Sequence, residues 1–273
     1  MSQVATQRPG TDGGTQRAVA IIPARLGSTR LPRKMLLRET GRYLFEHTVR
    51  GLEAGGAVRR VVLATDSQEI VDAAAEVGIE ARMTDPAHKS GTDRVHEAYQ
   101  GLVSDEGATY DVVVNVQGDE PDVAAGDLAR LVGAFAEPEV ELASLWTELD
   151  PGDADTESAV KVVLDAHGDA LYFSRSPIPN AAHRRDGADG PAVPYRRHVG
   201  VYAFRPEALA RFCALPEGQL ERLESLEQLR WLEAGRRLRL LRAEHAPRGI
   251  DTPEDYRAFV ARLGTSSTQS PAT

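Results

Sequence analysis

The sequence contains little cysteine, few aromatic residues and no long hydrophobic run. A single cysteine, Cys213, among 273 residues excludes an internal disulfide and any zinc site built from several cysteines. It also matches a reducing compartment, so we expect a cytoplasmic protein. The longest apolar runs, such as 61–64 and 112–114, are far shorter than the roughly 20 residues of a membrane helix. We therefore expect no membrane association.

Basic residues are also fewer than acidic residues. The chain has 32 lysines and arginines against 41 acidic residues, which gives a formal net charge of −9 at pH 7. Because a polyanion is repelled by such a chain, we do not expect it to bind nucleic acid. The balance still permits a local basic site for a small anion.

The two ends of the chain differ in composition from the rest. Residues 1–17 are polar and lack the apolar stretch of a signal peptide, so we predict a disordered N-terminal extension. Residues 264–273 are rich in Ser, Thr and Pro, and we predict a disordered tail. The remaining 18–263 are enough for one domain with a sizeable core.

Strand and helix patterns alternate through the first half of the chain. Short β-rich apolar runs occur at 18–22, 61–64, 79–83 and 111–116, and helical spacing occurs at 44–54, 68–77, 93–102 and 124–135. Such alternation indicates βαβ units around a parallel sheet. Later strand-like runs have little helix between them, at 143–147, 159–164, 171–173 and 198–204. They predict an antiparallel addition to the sheet, followed by one amphipathic helix over 220–234.

Three cations follow the first predicted strand. Arg25, Arg30 and Lys34 lie in the segment 23–34 together with the small polar stretch 27–29. Ligands of open α/β sheets bind at the carboxyl ends of strands, and this combination suits a triphosphate. The segment fits neither GxGxxG nor the P-loop pattern. A solvated basic loop explains any one arginine, but less readily all three cations.

Carboxylates suited to Mg²⁺ occur in two further turns. Asp119 and Glu120 follow the strand predicted at 111–116, and Asp251 lies in the segment 249–255. Each turn is equally compatible with a helix cap, formed in the second case by Asp251 or Thr252. The segment 88–94 likewise fits either close approach to a base or ribose, or an ordinary cap.

Taken in order, these segments resemble the 3-deoxy-manno-octulosonate (Kdo) cytidylyltransferase family, also called CMP-Kdo synthetases. The matching segments span nearly all of 18–263 and are 22–32, 64–66, 90–94, 115–121, 159–165, 171–175, 197–202, 226–230 and 251–255. The resemblance implies a three-layer, Rossmann-like α/β fold of the nucleotide-diphospho-sugar transferase type, with a mixed sheet. It also implies a homodimer.

The resemblance further implies transfer of CMP from CTP to the anomeric hydroxyl of Kdo, with release of pyrophosphate, in lipopolysaccharide precursor synthesis. Mg²⁺ is the implied cofactor, held by Asp119 and Asp251, which with Arg25 and Lys34 form the expected catalytic set. The implied nucleotide-binding positions are Ala24, Arg25, Ser28, Arg30, Lys34, Ser90, Gly91 and Arg94. The implied sugar-binding positions are Gln117, Arg175, His198, Tyr202, Glu227 and Gln228.

Three departures from the family pattern and three alternative functions accompany this interpretation. Met35 follows Lys34 where the family often has Pro or Val. Arg33 stands where the family usually has glycine, so a positive φ there would be strained. The loop 180–194 matches the family poorly. One alternative is a cytidylyltransferase for another acidic sugar, such as amino-Kdo or a nonulosonic acid. The others are a catalytically silent nucleotide-binding homologue and a plain structural domain, which does not explain three strand or loop ends with phosphate- or metal-suited residues.

Overall fold

Four strands form the parallel half of a mixed sheet, as predicted. They are β1 (Ala18–Ala24), β2 (Arg60–Thr65), β3 (Ala81–Met83) and β4 (Val112–Asn115). The computed structural model describes residues 16–180, 182–183, 193–245, 247 and 249–266, and the strands within these ranges join one sheet. All seven residues of β1 are buried, which explains its unbroken hydrophobic run.

The second half of the chain adds antiparallel strands, again as predicted. These elements are β5 (Leu142–Glu148), β6 (Lys161–Leu164), β7 (Ala170–Ser174), β8 (Arg196–Phe204) and β9 (Arg239–Arg242). Strand β8 runs antiparallel between β4 and β5, and β6 pairs antiparallel with β7 and β8. Strand β9, which was not predicted, is parallel to β5. The main path is therefore β3-β2-β1-β4-β8-β5-β9.

Helices cover both faces of the sheet. They are α1 (Leu44–Gly55), α2 (Gln68–Glu76), α3 (Gly91–Glu106), α4 (Ala125–Gly133), α5 (Pro206–Ala214), α6 (Gln219–Glu224), α7 (Leu229–Glu233) and α8 (Pro253–Ser266). Alternate residues of β1 face opposite sides. Ile22 packs in the core formed with α1, α2 and α4, whereas Ile21 packs in the core formed with α3, α5 and α7. The predicted three-layer α/β architecture is thus confirmed.

The single helix predicted over 220–234 is wrong. Helix α6 ends at Glu224, Ser225 adopts a left-handed conformation with φ 52°, and α7 begins only at Leu229. The guanidinium of Arg175 donates to the backbone oxygens of Glu224 at 2.9 Å and Ser225 at 3.3 Å. These carbonyls accept hydrogen bonds from Arg175 instead of from the next turn of a helix. Because this contact comes from a distant part of the chain, the apolar periodicity of 220–234 does not predict it.

Smaller differences concern caps and ends. Ser67 occupies the N-cap of α2 without a side-chain capping bond, and the preceding Asp66 pairs with Arg94. Helix α5 was not predicted. Helix α8 continues through Ser266, so the predicted tail begins too early. Residues 1–15, most of the loop 180–194, and 267–273 lie outside the described residues, and the single-domain assignment stays a prediction. No helix in the described ranges is long and apolar enough to cross a membrane.

Candidate active site

The loop after β1 carries the predicted cations. Its turn is closed by a hydrogen bond from the Leu31 N–H to Ser28 Oγ at 3.3 Å, and Arg25 is exposed. Leu31 packs with Ile250, Tyr256 and other apolar residues in a small cluster beneath α8. The basic loop is thereby fixed beside the segment that carries Asp251.

Lys34 and two carboxylates form the centre of the site. The Lys34 ammonium donates to Asp119 Oδ2, to Asp251 Oδ1 at 3.0 Å and to the Ile250 carbonyl at 3.4 Å. The Lys34 and Asp119 side chains are 13% and 16% exposed, whereas Asp251 is 44% exposed and also pairs with Arg30 at 3.1 Å. Two carboxylates from distant segments therefore share one cation.

Backbone contacts explain why these carboxylates converge. The Ile250 N–H donates to the Asp119 carbonyl at 3.0 Å, which joins the two acidic segments directly. The buried Thr48 hydroxyl donates a hydrogen bond to the Gly118 carbonyl at 2.9 Å. A side chain at Gly118 would place its Cβ 2.9 Å from Met35 Sδ, so glycine permits the turn to lie against the residue that follows Lys34.

The start of α8 leaves Asp251 available for the site. Thr252 Oγ1 accepts a hydrogen bond from the Asp255 N–H at 3.1 Å, and Asp255 Oδ2 accepts one from the Thr252 N–H at 2.9 Å. This reciprocal pair is a capping box, with Pro253 in the first turn. Of the two candidate caps, Thr252 is therefore the cap, and the Asp251 carboxylate faces Lys34 and Arg30 instead.

The pKa shifts at the site bear on which carboxylate, Asp119 or Glu120, can bind a cation. Burial alone would lower the pKa of Lys34, but the charges of Asp119 and Asp251 outweigh it and the net shift is upward. Burial, and then the charge of Asp119, raises the pKa of Glu120 to about 8. A carboxyl that is protonated at neutral pH is a poor cation ligand, so Asp119 is the better candidate of the two.

The pair of carboxylates fits a magnesium ion that is shared with a nucleotide. Mg²⁺ is commonly held by one or two carboxylates together with substrate phosphates and water. No group of three or more His, Cys, Asp or Glu residues suited to a metal occurs in the ranges that the structure describes. The oxygens that contact the Lys34 ammonium are thus a suitable donor set for such an ion, and an all-protein cage is not present among these residues.

The start of α3 approaches the ends of β1 and β4. Ser90 caps α3 by accepting a hydrogen bond from the Asp93 N–H at 3.1 Å. A Cβ at Gly91 would lie 3.2 Å from Pro23 Cγ and 3.7 Å from Gln117 Nε2. Together with Glu227, these α3 residues line a cleft of about 860 Å³. The structure therefore brings predicted nucleotide and sugar positions to one cleft.

The side chain of Arg94, by contrast, is buried and does not line the cleft. It is 1% exposed, and its guanidinium donates to Asp66 Oδ2 at 2.8 Å and to the Thr84 hydroxyl. The structure places this predicted nucleotide contact in a buried ion pair beneath α3. A sequence motif shows that an arginine follows the Ser90 turn, but it does not show that the side chain points inward.

Several predicted sugar-binding side chains cluster on β8 and before α7. His198 Nε2 lies 2.9 Å from Ser144 Oγ, and burial followed by the charge of Arg197 lowers the pKa of His198 to about 3. Tyr202 stacks obliquely on His198 with ring centroids 5.4 Å apart. Burial raises the pKa of Tyr202, and the nearby Glu227 carboxyl adds to the shift. Both rings are therefore uncharged at neutral pH.

Residues 19–238 match the sequence profile of the cytidylyltransferases. The chain belongs to this family. It is 47% identical over 240 residues to the 3-deoxy-manno-octulosonate cytidylyltransferase of Anaeromyxobacter sp. (strain Fw109-5), which covers 88% of this chain and 94% of that protein. The corresponding protein of Nitratidesulfovibrio vulgaris (strain Hildenborough) is 46% identical over 244 residues, with 89% and 94% covered. The resemblance to this family drawn from the motifs is confirmed.

Solved structures agree with the cytidylyltransferase assignment. A structure of CMP:2-keto-3-deoxy-manno-octonic acid synthetase complexed with CTP superposes with a TM-score of 0.83 at 36% identity, over 92% of this chain and 99% of that one. The 4-diphosphocytidyl-2C-methyl-D-erythritol synthase of Anaerococcus prevotii matches with a TM-score of 0.59 at 16% identity. The second likeness shows the fold alone.

The departure at Arg33 has the structural consequence expected for this cytidylyltransferase. Arg33 adopts φ 58° and ψ 25°, the left-handed conformation that glycine tolerates best. Its N–H donates to the Leu26 carbonyl at 3.3 Å and its guanidinium pairs with Glu69 on α2. The loop therefore keeps the conformation of a glycine-containing turn, and an ion pair accompanies the strained residue.

Two polar residues that the motifs do not assign to substrate or metal also lie in this region, together with Glu120, one of the carboxylates predicted to suit Mg²⁺. Thr92 and Asn115 are buried beside Glu227, and Glu120 has a buried oxygen without a hydrogen-bond partner among the described residues. All three lie inside the segments 90–94 and 115–121, so their proximity to the site was signalled. Their individual contacts depend on how the two segments pack, which the motifs do not specify.

Proposed function

We propose that this chain transfers the CMP unit of CTP to the anomeric hydroxyl of 3-deoxy-manno-octulosonate, releasing pyrophosphate and CMP-Kdo for lipopolysaccharide precursor synthesis. The family membership and the relatives at 46–47% identity support the reaction class and the sugar. The observation that carries the proposal is the convergence of Asp119 and Asp251 on Lys34 beside the basic loop.

The reaction needs positive charge more than it needs a protein nucleophile. A bond forms between the anomeric oxygen and the α-phosphorus, and the bond from that phosphorus to the pyrophosphate oxygen breaks. Two unit charges 4 Å apart interact by about 4 kcal/mol at an effective dielectric of 20, so a sugar carboxylate and CTP repel each other strongly. Arg25, Arg30 and Lys34 supply opposing charge, and catalysis depends on positioning and electrostatics.

Asp119 and Asp251 are the residues that would hold Mg²⁺. When bound, the ion neutralises phosphate charge and orients the triphosphate. Lys34, which contacts both carboxylates in this structure, is then available to the phosphates. Ser90 and Gly91, which line the cleft beside Glu227, offer backbone and hydroxyl groups to the nucleoside.

The sugar side combines neutral and charged hydrogen-bonding groups. His198 and Tyr202 remain uncharged at neutral pH because they are buried, so they suit hydroxyl groups. Glu227 and Gln228 follow the turn between α6 and α7. Arg175 uses three of its five N–H groups on the carbonyls of Glu157, Glu224 and Ser225. Its other two N–H groups make no hydrogen bond within the described ranges, and they suit the carboxylate of the sugar acid.

The proposal includes a homodimer in the cytoplasm. Large apolar side chains at Leu171 and Leu223 are 61% and 73% exposed and offer apolar surface to a second copy. Leu171 and Leu223 lie on neighbouring elements, because the residues that follow them are in contact: the Tyr172 hydroxyl is 3.4 Å from the Glu224 carboxylate. The lone cysteine matches a reducing compartment. Light scattering on the full chain tests the dimer.

Pyrophosphate release, measured with a panel of nucleotides and sugar acids, tests the function. We expect release with CTP, Kdo and Mg²⁺, and little with ATP, GTP or UTP. Faster turnover of amino-Kdo or of a nonulosonic acid would reassign the acceptor while keeping the chemistry. Absence of release with every pair would support a silent nucleotide-binding homologue instead.

A further inference from the structure

Thr92 joins the nucleotide side of the cleft to its sugar side. It lies in the first turn of α3, two residues after Ser90, and it is 3% exposed. Its hydroxyl donates to Glu227 Oε2 at 2.9 Å. On its other side, Asn115 Nδ2 contacts Thr92 Oγ1 at 3.4 Å. A chain of polar contacts therefore runs from the end of β4 through α3 to Glu227.

The two ends of this chain differ in rigidity. Thr92 belongs to a 16-residue helix with a capped start, and its carbonyl accepts from the Cys213 thiol of α5 at 3.7 Å. Glu227 belongs to the link 225–228 between two short helices, which begins with the left-handed Ser225. The helix is the better-fixed partner, so the Glu227 carboxylate takes its orientation from Thr92.

Hydrogen-bonding capacity is left over around Thr92. Among the described residues, Glu227 Oε1, Asn115 Oδ1 and Gln228 Nε2 are buried and have no hydrogen-bond partner. Buried polar atoms are almost always paired, so these two acceptors and one donor are suited to a ligand with several groups that both donate and accept. Sugar hydroxyls have this property. Thr92 occupies Glu227 Oε2 and leaves Oε1 free for such a group.

We propose that Thr92 is a positioning residue that orients Glu227 toward the hydroxyl groups of the sugar acid, with Asn115 anchoring Thr92 from β4. The inference rests on the proposed function. Thr92 itself does not contact the sugar and acts only through Glu227. Its removal therefore weakens recognition of the sugar, while Ser90 and Gly91, the positions of α3 that we assign to CTP, are unchanged.

Steady-state pyrophosphate release by four variants tests this role. The variants are Thr92→Val, Thr92→Ser, Glu227→Gln and the double variant Thr92→Val/Glu227→Gln. Loss of one hydrogen bond to a charged group predicts a KM for the sugar that is about tenfold higher in Thr92→Val, with the KM for CTP within about twofold of wild type. Thr92→Ser keeps the hydroxyl and should restore sugar recognition. The double variant should be no weaker than Glu227→Gln alone.

A matched control separates positioning from general loss of packing. Thr65→Val removes another buried hydroxyl, whose bond to the Ser67 N–H lies outside the proposed site, and its KM for the sugar should equal that of wild type. If Thr92→Val does not fold, Thr92→Ala is measured against the same expectations. An unchanged sugar KM, an equal rise in both KM values, or additive losses in the double variant would overturn the proposal.

The test also distinguishes this inference from the proposed function. The variants are measured with whichever sugar acid the wild-type chain uses, so a different natural acceptor overturns the function without removing the test. Without turnover, binding of Kdo measured by calorimetry replaces the KM, with the same ratios expected. If Glu227→Gln alone leaves sugar recognition unchanged, Glu227 is not a sugar ligand and the role of Thr92 is refuted.

Discussion

Replacing Lys34 with methionine should abolish turnover and yet tighten the binding of a divalent cation in the absence of nucleotide. The Lys34 ammonium contacts Asp119 and Asp251, the same two carboxylates that we assign to the metal. A metal that binds without CTP must displace this ammonium. Methionine has a similar length and no charge, so Lys34→Met leaves two neighbouring carboxylates without their shared cation.

The size of the effect follows from the geometry. At 3.0 Å, the distance to Asp251 Oδ1, two unit charges interact by about 5 kcal/mol at an effective dielectric of 20. Only a fraction of this energy opposes metal binding, because Asp251 is 44% exposed to water and the lysine moves aside instead of leaving the protein. A net gain of about 1.5–3 kcal/mol corresponds to a dissociation constant that is roughly ten to a hundred times lower.

Electron paramagnetic resonance with Mn²⁺ measures this affinity directly, and Arg30→Met provides the control. Arg30 pairs with Asp251 and its side chain is 63% exposed, so its removal should change the Mn²⁺ dissociation constant by no more than about twofold. Mn²⁺ affinity in Lys34→Met that equals or falls below that of wild type would refute the view that ammonium and metal compete for the same oxygens.

Three further predictions concern strain, sugar recognition and pH. Arg33→Gly should be more stable to urea than Arg33→Ala by about 1 kcal/mol, because both variants lose the pair with Glu69 and only glycine adopts φ 58° without strain; equal midpoints would contradict this. Arg175→Ala should raise the KM for Kdo and leave that for CTP within about twofold; an equal loss of both would assign Arg175 to folding or to the nucleotide. Folding lowers the pKa of His198 from 6.5 to about 3. Between these two pH values the unfolded chain binds a proton at this residue that the folded chain does not. The contribution of His198 to the free energy of unfolding is therefore fully present above pH 6.5 and is lost as the pH falls toward 3. His198→Gln should flatten this decline, which amounts to about 1 kcal/mol per pH unit in melting experiments, and an unchanged slope would contradict the assignment.

The parallel half of the fold could be predicted because its signals are local. Strand β1 is buried on both faces, so its hydrophobic run is unbroken, and α1 begins and ends within one residue of the predicted bounds. Strand β9 has only four residues and was missed, and α5 was missed although Pro206 stands at its first position, which favours a helix start. The break at Ser225 was missed for another reason, since it depends on hydrogen bonds from the side chain of Arg175, the residue that follows β7.

The site shows the same division between local and tertiary information. The convergence of Asp119 and Asp251 follows from segments that the motifs located correctly, although the shared contact with Lys34 was not foreseen. The burial of Arg94 depends on its pairing with Asp66 after β2. Motif spacing indicates which segments meet, whereas the direction of each side chain depends on how those segments pack.

A magnesium titration of pyrophosphate release by Asp119→Asn and Asp251→Asn tests the paired carboxylates most directly. We expect each variant to lose at least about a hundredfold in turnover at the Mg²⁺ concentration that saturates wild type, as removal of a major electrostatic stabiliser does. The double variant should lose little more, because the two side chains act on one ion. Near-wild-type turnover by Asp119→Asn at low Mg²⁺ would contradict the shared site.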